Sequence, residues 1–179
     1  DNVLNILNEL VPVYKDLTAY DDSKAYMNDG GAKGKELAAK YVAAVEKFDA
    51  AYAKFNETLN KVNAEQSKKQ IEKLKKDGKK GYAAAMESTL RLTELVDKLE
   101  KAPQNADKAA VEKELSEIEA LLKSINNDRG QVLADRYNSV VGDVRQVLAD
   151  PSDNNLNNMI EGFNGYIDTY NSTTPDQFD

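Results

Sequence analysis

Four groups of residues carry side chains whose type and spacing could do chemistry. In Asp29-Gly30-Gly31-Ala32-Lys33-Gly34-Lys35-Glu36 the glycines and lysines stand much as in a loop whose backbone amides cradle a phosphate. That chemistry needs Gly where Asp29 stands, Ser or Thr where Glu36 stands, and a strand before the loop. The stretch therefore reads as a flexible connector. Glu114, Glu117 and Glu119 could ligate a pair of metal ions or act as paired acid and base if they converged in a cleft. The apolar stripe through Leu115, Ile118 and Leu122 turns them toward water instead. The sharpest charge feature is the lysine run Lys68, Lys69, Lys73, Lys75, Lys76, Lys79 and Lys80, opposed only by Glu72 and Asp77. It is a candidate basic face for an acidic partner, anionic lipid or an anionic polymer, set against the ordinary reading of a solvated surface that keeps the protein monomeric. Finally Tyr41, Tyr52, Tyr82, Tyr137 and Tyr170 lie on or beside apolar stripes, where phenols could line a ligand cleft or pack as core residues.

Composition removes whole classes of function. The 179 residues include no His, no Cys and no Trp. There is thus no imidazole base, no thiol nucleophile, no thiolate metal site and no disulfide, and no catalytic residue, metal site or cofactor is expected. A formal charge of -7 argues against nucleic acid as the main partner, because phosphate binding needs an excess of Lys and Arg. After Arg145 the chain has no basic residue at all. No apolar run approaches the roughly 20 residues of a membrane-spanning helix. The first residue is Asp1, not Met, which reads as a processed or trimmed product. The sequons Asn56-Glu57-Thr58 and Asn171-Ser172-Thr173 are too common to indicate a compartment.

The elements that would position these residues are read from apolar spacings of three and four, the signature of one helical stripe. Val3, Leu7, Leu10, Tyr14 and Leu17 predict a first helix, loosened or bent near Pro12. From Asp21 to Gly34 the period fails, leaving a connector with a short helical turn around Ala25 to Met27. Leu37, Tyr41, Val45, Phe48, Tyr52, Phe55, Leu59 and Val62 predict the strongest helix. Asn63 with Gln66 offers a capping box to end it and start the next. That next helix, from about Glu65 to Lys101, follows Ile71, Leu74, Gly78, Tyr82, Ala85, Thr89, Leu92, Val96 and Leu99. It would be about 55 Å long at 1.5 Å per residue, with Gly78 and Gly81 inside it where a neighbour comes close. Pro103 ends it.

The phase of Val111, Leu115, Ile118, Leu122 and Ile125 continues through Val132, Tyr137, Val140, Val144 and Val147. Residues 107–149 are accordingly read as one helix slightly ahead of two, although Asn126, Asn127, Asp128 and Gly130 are also a turn signal. A last helix opens at Pro151 and Ser152 or Asp153, with Leu156, Ile160, Phe163, Ile167 and Tyr170 on its stripe. The near-heptad spacing predicts an all-α fold, an elongated antiparallel bundle of four to five helices, two or three of them long. It would form a single domain over 1–174 with a frayed tail at 175–179.

Three stretches carry a resemblance. They are Tyr26-Met27-Asn28-Asp29-Gly30-Gly31-Ala32-Lys33-Gly34-Lys35, Lys76-Asp77-Gly78-Lys79-Lys80-Gly81-Tyr82 and Phe163-Asn164-Gly165-Tyr166-Ile167-Asp168-Thr169-Tyr170-Asn171. Together they resemble the YiiG-like family of bacterial putative lipoproteins, which carry a helical domain of unknown function. The resemblance implies a cell-envelope protein, made with a signal peptide and anchored through a lipidated Cys upstream of this domain, facing the periplasm or the outer surface. It supplies no catalytic or binding residues. The expectation is a non-catalytic binding or scaffolding module whose partner is an envelope protein or an anionic surface polymer. A bundle binding a small ligand in a Tyr-lined cleft is the alternative.

Overall fold

The computed structural model describes residues 2–179, and among these every regular element is helical. Seven α-helices are present: α1 (Asn2–Asp22), α2 (Tyr26–Asp29), α3 (Ala32–Lys76), α4 (Lys80–Lys101), α5 (Lys108–Lys123), α6 (Asp128–Ala149) and α7 (Asp153–Asn171). Short 3-10 turns follow α4 at Pro103–Asn105 and α7 at Pro175–Gln177. The all-α class is as expected, with more helices than the four to five predicted. The chain divides into two compact units, Asp1–Asn63 and Ala64–Asp179, with the division inside α3.

In the first unit α1 runs unbroken past Pro12. The connector is shorter than the sequence suggested, because α1 extends to Asp22, α2 fills much of the gap and α3 already begins at Ala32. Tyr20 lies against Gly34, and Tyr14 stands beside Tyr41 with ring centroids 6.1 Å apart, so α1 and the start of α3 run antiparallel. A Cβ at Gly34 would come within 2.6 Å of the Tyr20 ring, so only glycine allows this approach. Tyr20 and Leu37 are the buried apolar residues of this unit, while Phe55, Leu59 and Val62 on the strongest predicted stripe remain about half exposed.

Asn63 neither ends a helix nor caps one. α3 continues to Lys76 and breaks at Gly78, where the sequence predicted an uninterrupted helix from about Glu65 to Lys101. The reason is local. Gly78 takes φ 81, a left-handed conformation open to glycine at little cost. Its N–H bonds to the Lys75 carbonyl and that of Lys79 bonds to the Leu74 carbonyl at 3.0 Å, the paired bonds of a Schellman stop. No comparable termination exists at Asn63, whose backbone stays in the helical ladder.

The second unit packs α4 to α7 around one core, with the end of α3 laid on α4. Ala85, Leu92, Leu99, Ile118, Leu122, Leu133, Val140, Val144, Met159 and Tyr166 are among its most enclosed apolar side chains. Residues 107–149 form two helices, not one. Asn127 caps the start of α6 by accepting the Gly130 N–H at 2.9 Å, and the chain turns between Ser124 and Asn127. Within α6 the stripe takes Leu133 in place of Val132, which is exposed, and then runs through Tyr137, Val140, Val144 and Val147 as predicted. In α7 the enclosed positions are Met159 and Tyr166, one residue from the predicted Ile160 and Ile167.

The predicted frayed tail is also ordered differently. Thr174 and Gln177 form a capping box, and Phe178 is 2% exposed. Its carbonyl oxygen lies 1.8 Å from where a Gly81 Cβ would stand, and the Asp179 carboxylate accepts the Gly81 and Tyr82 N–H groups at 2.7 and 3.3 Å. Gly81 thus serves a close approach, but of the tail's backbone.

Candidate functional site

The basic segment lies wholly in the second unit, and the structure sorts its lysines by direction. Ile71 and Leu74 turn inward from the last turns of α3, packing with Ala83, Tyr82, Met86 and Leu90 of α4. Lys68 and Lys75 flank that seam and reach Glu94 and Glu87 of α4 at 3.6 and 2.5 Å. Both spacings are seven residues, so the two pairs stand two turns apart along an antiparallel contact. Lys79 pairs with Asp176 of the tail at 3.1 Å, a partner that raises its pKa. Lys69, Lys73 and Lys76 share the opposite, solvent face of α3, and with Lys80 they have no ion-pair partner among the described residues. The seven lysines are therefore not one surface: three tie the unit together, three face water in a row, and Lys80 opens α4.

The five tyrosines do different work. Tyr41 and Tyr52 belong to the first unit, against Tyr14 and Phe48 respectively, the latter with centroids 5.7 Å apart. In the second unit Tyr82, Tyr170 and Phe178 stack mutually with centroids 6.1 to 6.5 Å apart. Tyr170 is pushed well above the ordinary phenol pKa by burial and then by Tyr82. Tyr137 is 1% exposed and donates to the Leu115 carbonyl at 2.5 Å, and burial raises its pKa too. These three are packing residues with structural hydrogen bonds and stacks. Tyr166, which the stripes did not single out, sits beside the Ser88 and Thr89 hydroxyls at 3.1 Å each. Burial raises its pKa, so its hydroxyl stays neutral.

The carboxylates that could have formed a metal site are instead salt-bridged. Arg91 of α4 grips Glu114 in two bonds of 2.7 and 2.9 Å and also holds Glu117, while Glu119 pairs with Lys123 at 2.6 Å. Hydrogen bonding from Arg91 holds the Glu114 carboxyl below its usual range. Arg145 binds Glu112 at 2.9 and 2.8 Å, lowering the pKa of Glu112 in the same way. Among the described residues no group of three or more His, Cys, Asp or Glu stands close enough to hold a metal ion.

The glycine-lysine stretch of the first unit has two of its amides already taken by a carboxylate of the chain. Asp29 accepts the Gly31 and Lys33 N–H groups at 2.9 and 3.2 Å and the Tyr20 hydroxyl at 2.6 Å. A carboxylate of the chain thus stands where a phosphate would have to sit. The Tyr20 bond is the main cause that holds the pKa of Asp29 below its usual range.

Periodicity did not indicate a cleft of about 630 Å³ in the second unit, between the second half of α4, the Pro103–Asn105 turn and the start of α5. Its floor is Leu95, Leu99 and Val111, its walls include Ala102, Ala106 and Ala110, and Arg91, Lys98 and Glu114 stand among its charged rim. No tyrosine lines it.

Fold and site together define an all-helical protein whose polar groups are arranged in ion pairs, caps and buried hydroxyl contacts. The chain belongs to the family described as protein of unknown function DUF3829, whose model matches residues 2–132. The matched stretch covers the first unit and the second as far as the opening of α6. Comparison with curated proteins and with solved structures gives no match. No helix among the described residues is long and apolar enough to cross a membrane.

Proposed function

We propose that this chain is a non-catalytic binding or scaffolding domain of a bacterial cell-envelope lipoprotein, held at a membrane by a lipid anchor upstream and presenting a lysine face to an envelope partner. The observation that carries the reading is the row Lys69, Lys73 and Lys76. These lysines have no ion-pair partner among the described residues, although the net charge is -7 and acids are plentiful. Glu72 stands three residues from Lys69 and four from Lys76, yet no ion pair among the described residues takes up these ammonium groups, which leaves them available to a partner. Such a row raises the local concentration of acidic protein surfaces or anionic polymers and speeds their association. The envelope placement rests on the YiiG-like resemblance.

The test is a pull-down from envelope extract with the triple variant Lys69→Glu, Lys73→Glu, Lys76→Glu, whose substituted residues are all exposed. Loss of the partners recovered by the unaltered protein, together with binding that weakens as salt rises, supports the reading. Recovery of the same partners by the variant overturns this face as the interface. Mass spectrometry of the mature N-terminus tests the anchor separately, a diacylglyceryl Cys being the expected modification.

A small-ligand-binding bundle is the second reading, favoured by the 630 Å³ cleft. Its volume falls in the range of small-molecule sites.

A further inference from the structure

The cleft between α4 and α5 is unfilled for a compositional reason. Ala102 and Ala106 are half-buried and Ala110 lies at the lip, and each is too small to cover Leu95, Leu99 and Val111 beneath. Those three apolar side chains are each less than a tenth exposed, yet they form the floor of an open space. The space opens to solvent, and a larger side chain at any of the three alanines would cover more of that floor and gain contacts.

The charges around this floor are unequal once their partners are counted. Glu94 pairs with Lys68, Asp97 with Lys101 at 2.7 Å, and Glu114 with Arg91. Asp107 is spent as the cap of α5, accepting the Ala109 and Ala110 N–H groups at 2.9 and 3.3 Å. Arg91 is committed to Glu114 and Glu117. Of the charged residues that line the cleft, Lys98 is the one with no hydrogen bond from its side chain and no ion pair among the described residues. Its charge is felt at Glu114, whose oxygens are already held by Arg91. An apolar floor with a single unspent cation at its edge matches a molecule with an apolar chain and one negative charge at its end.

We propose that this cleft binds an amphipathic monoanion, an alkyl carboxylate whose chain lies on Leu95, Leu99 and Val111 and whose carboxylate meets the Lys98 ammonium. Burial of the chain supplies most of the affinity, because each methylene removed from water strengthens binding about fourfold. Lys98 supplies the sign selectivity. The site is separate from the lysine row on α3 and stands or falls independently of it.

The experiment is isothermal titration of the full chain with monomeric decanoate, and with decanol and decylamine at the same concentrations. Decanoate is expected to bind and decylamine not. Lys98→Gln, a change at an exposed residue, should weaken decanoate binding about tenfold, the loss of one charge-assisted contact. Ala106→Leu should abolish binding by filling the cleft, with circular dichroism and a thermal melt confirming that the variant is folded. The triple lysine-to-glutamate variant of α3 should bind decanoate as the unaltered protein does. Absence of decanoate binding overturns the proposal, as does equal binding of all three amphiphiles. Decanoate binding that neither Lys98→Gln nor folded Ala106→Leu changes also overturns it.

Discussion

At the scale of single residues, Arg91 makes three side-chain hydrogen bonds to carboxylates of α5, where Arg145 makes two. Its guanidinium joins α4 to α5 through Glu114 and Glu117, and with three-quarters of its side chain covered it keeps more of its attraction than a surface pair would. Arg91→Met is expected to lower stability by about 1 to 2 kcal/mol at neutral pH. The pH dependence has a definite sign. Because the folded state depresses the pKa of Glu114, the stabilisation is complete above the unfolded carboxylate value of about 4.3 and is lost as pH falls through the lower folded value. The gap between the two proteins in urea midpoint should therefore be constant from pH 7 to about pH 6 and close in acid. Arg91 could not be singled out from sequence, since its role depends on which face of α5 comes to lie beside it.

At the scale of elements, helix stops decided where the stripes were misread. Periodicity located most of the helical stretches but carried its phase across Gly78 and across Asn126 to Gly130, because a stripe of threes and fours is blind to a turn that happens to preserve it. Gly78 stops α3 because the next N–H groups find carbonyls in the preceding turn, and Asn127 starts α6 because its side chain takes the Gly130 amide. Both signals are short-range and were visible as residue types. Choosing between them and Asn63 required the hydrogen bonds themselves.

The C-terminal segment gives an element-scale prediction. Gly81→Ala would place a methyl group on the Phe178 carbonyl and must displace the tail. Each of Gly81→Ala and deletion of Phe178 with Asp179 should destabilise the protein, since burial of a Phe side chain contributes about 1.5 to 3 kcal/mol. Combined, they should cost little more than the deletion alone, because the two changes remove the same contact. Thermal melts of the four proteins in that cycle check this, and strict additivity would disprove the steric coupling.

At the scale of the whole molecule, the two units differ in how much of their apolar surface is enclosed. The first contains Tyr20 and Leu37 as buried apolar residues, whereas the second encloses a continuous core from Ala84 to Phe178. Local opening costs less where fewer apolar contacts must be broken. Backbone amides of α1 and of α3 up to Asn63 are thus expected to exchange with deuterium well before those of α4 to α7. Hydrogen-exchange mass spectrometry at neutral pH measures this directly, and uniform protection across both units would show that the chain opens as one. The strongest stripe in the sequence, from Leu37 to Val62, falls in the less enclosed unit. Periodicity reports which face of a helix is apolar and not whether anything covers it.

What the sequence determined by itself was the helical class, the approximate extent of most helical stretches, and the lack of imidazole and thiol chemistry. These follow from side-chain spacing and residue type, which act within a few turns of the chain. Only the tertiary structure decided that Lys68 and Lys75 are tied to α4 while Lys69, Lys73 and Lys76 are not. It also decided that Tyr137 is core, that Phe178 returns to cover the start of α4, and that a cleft remains between α4 and α5. Each of these depends on which residues, distant in sequence, come to lie side by side. That is set by the packing of helix faces against one another, a property of the assembled core that no local pattern contains.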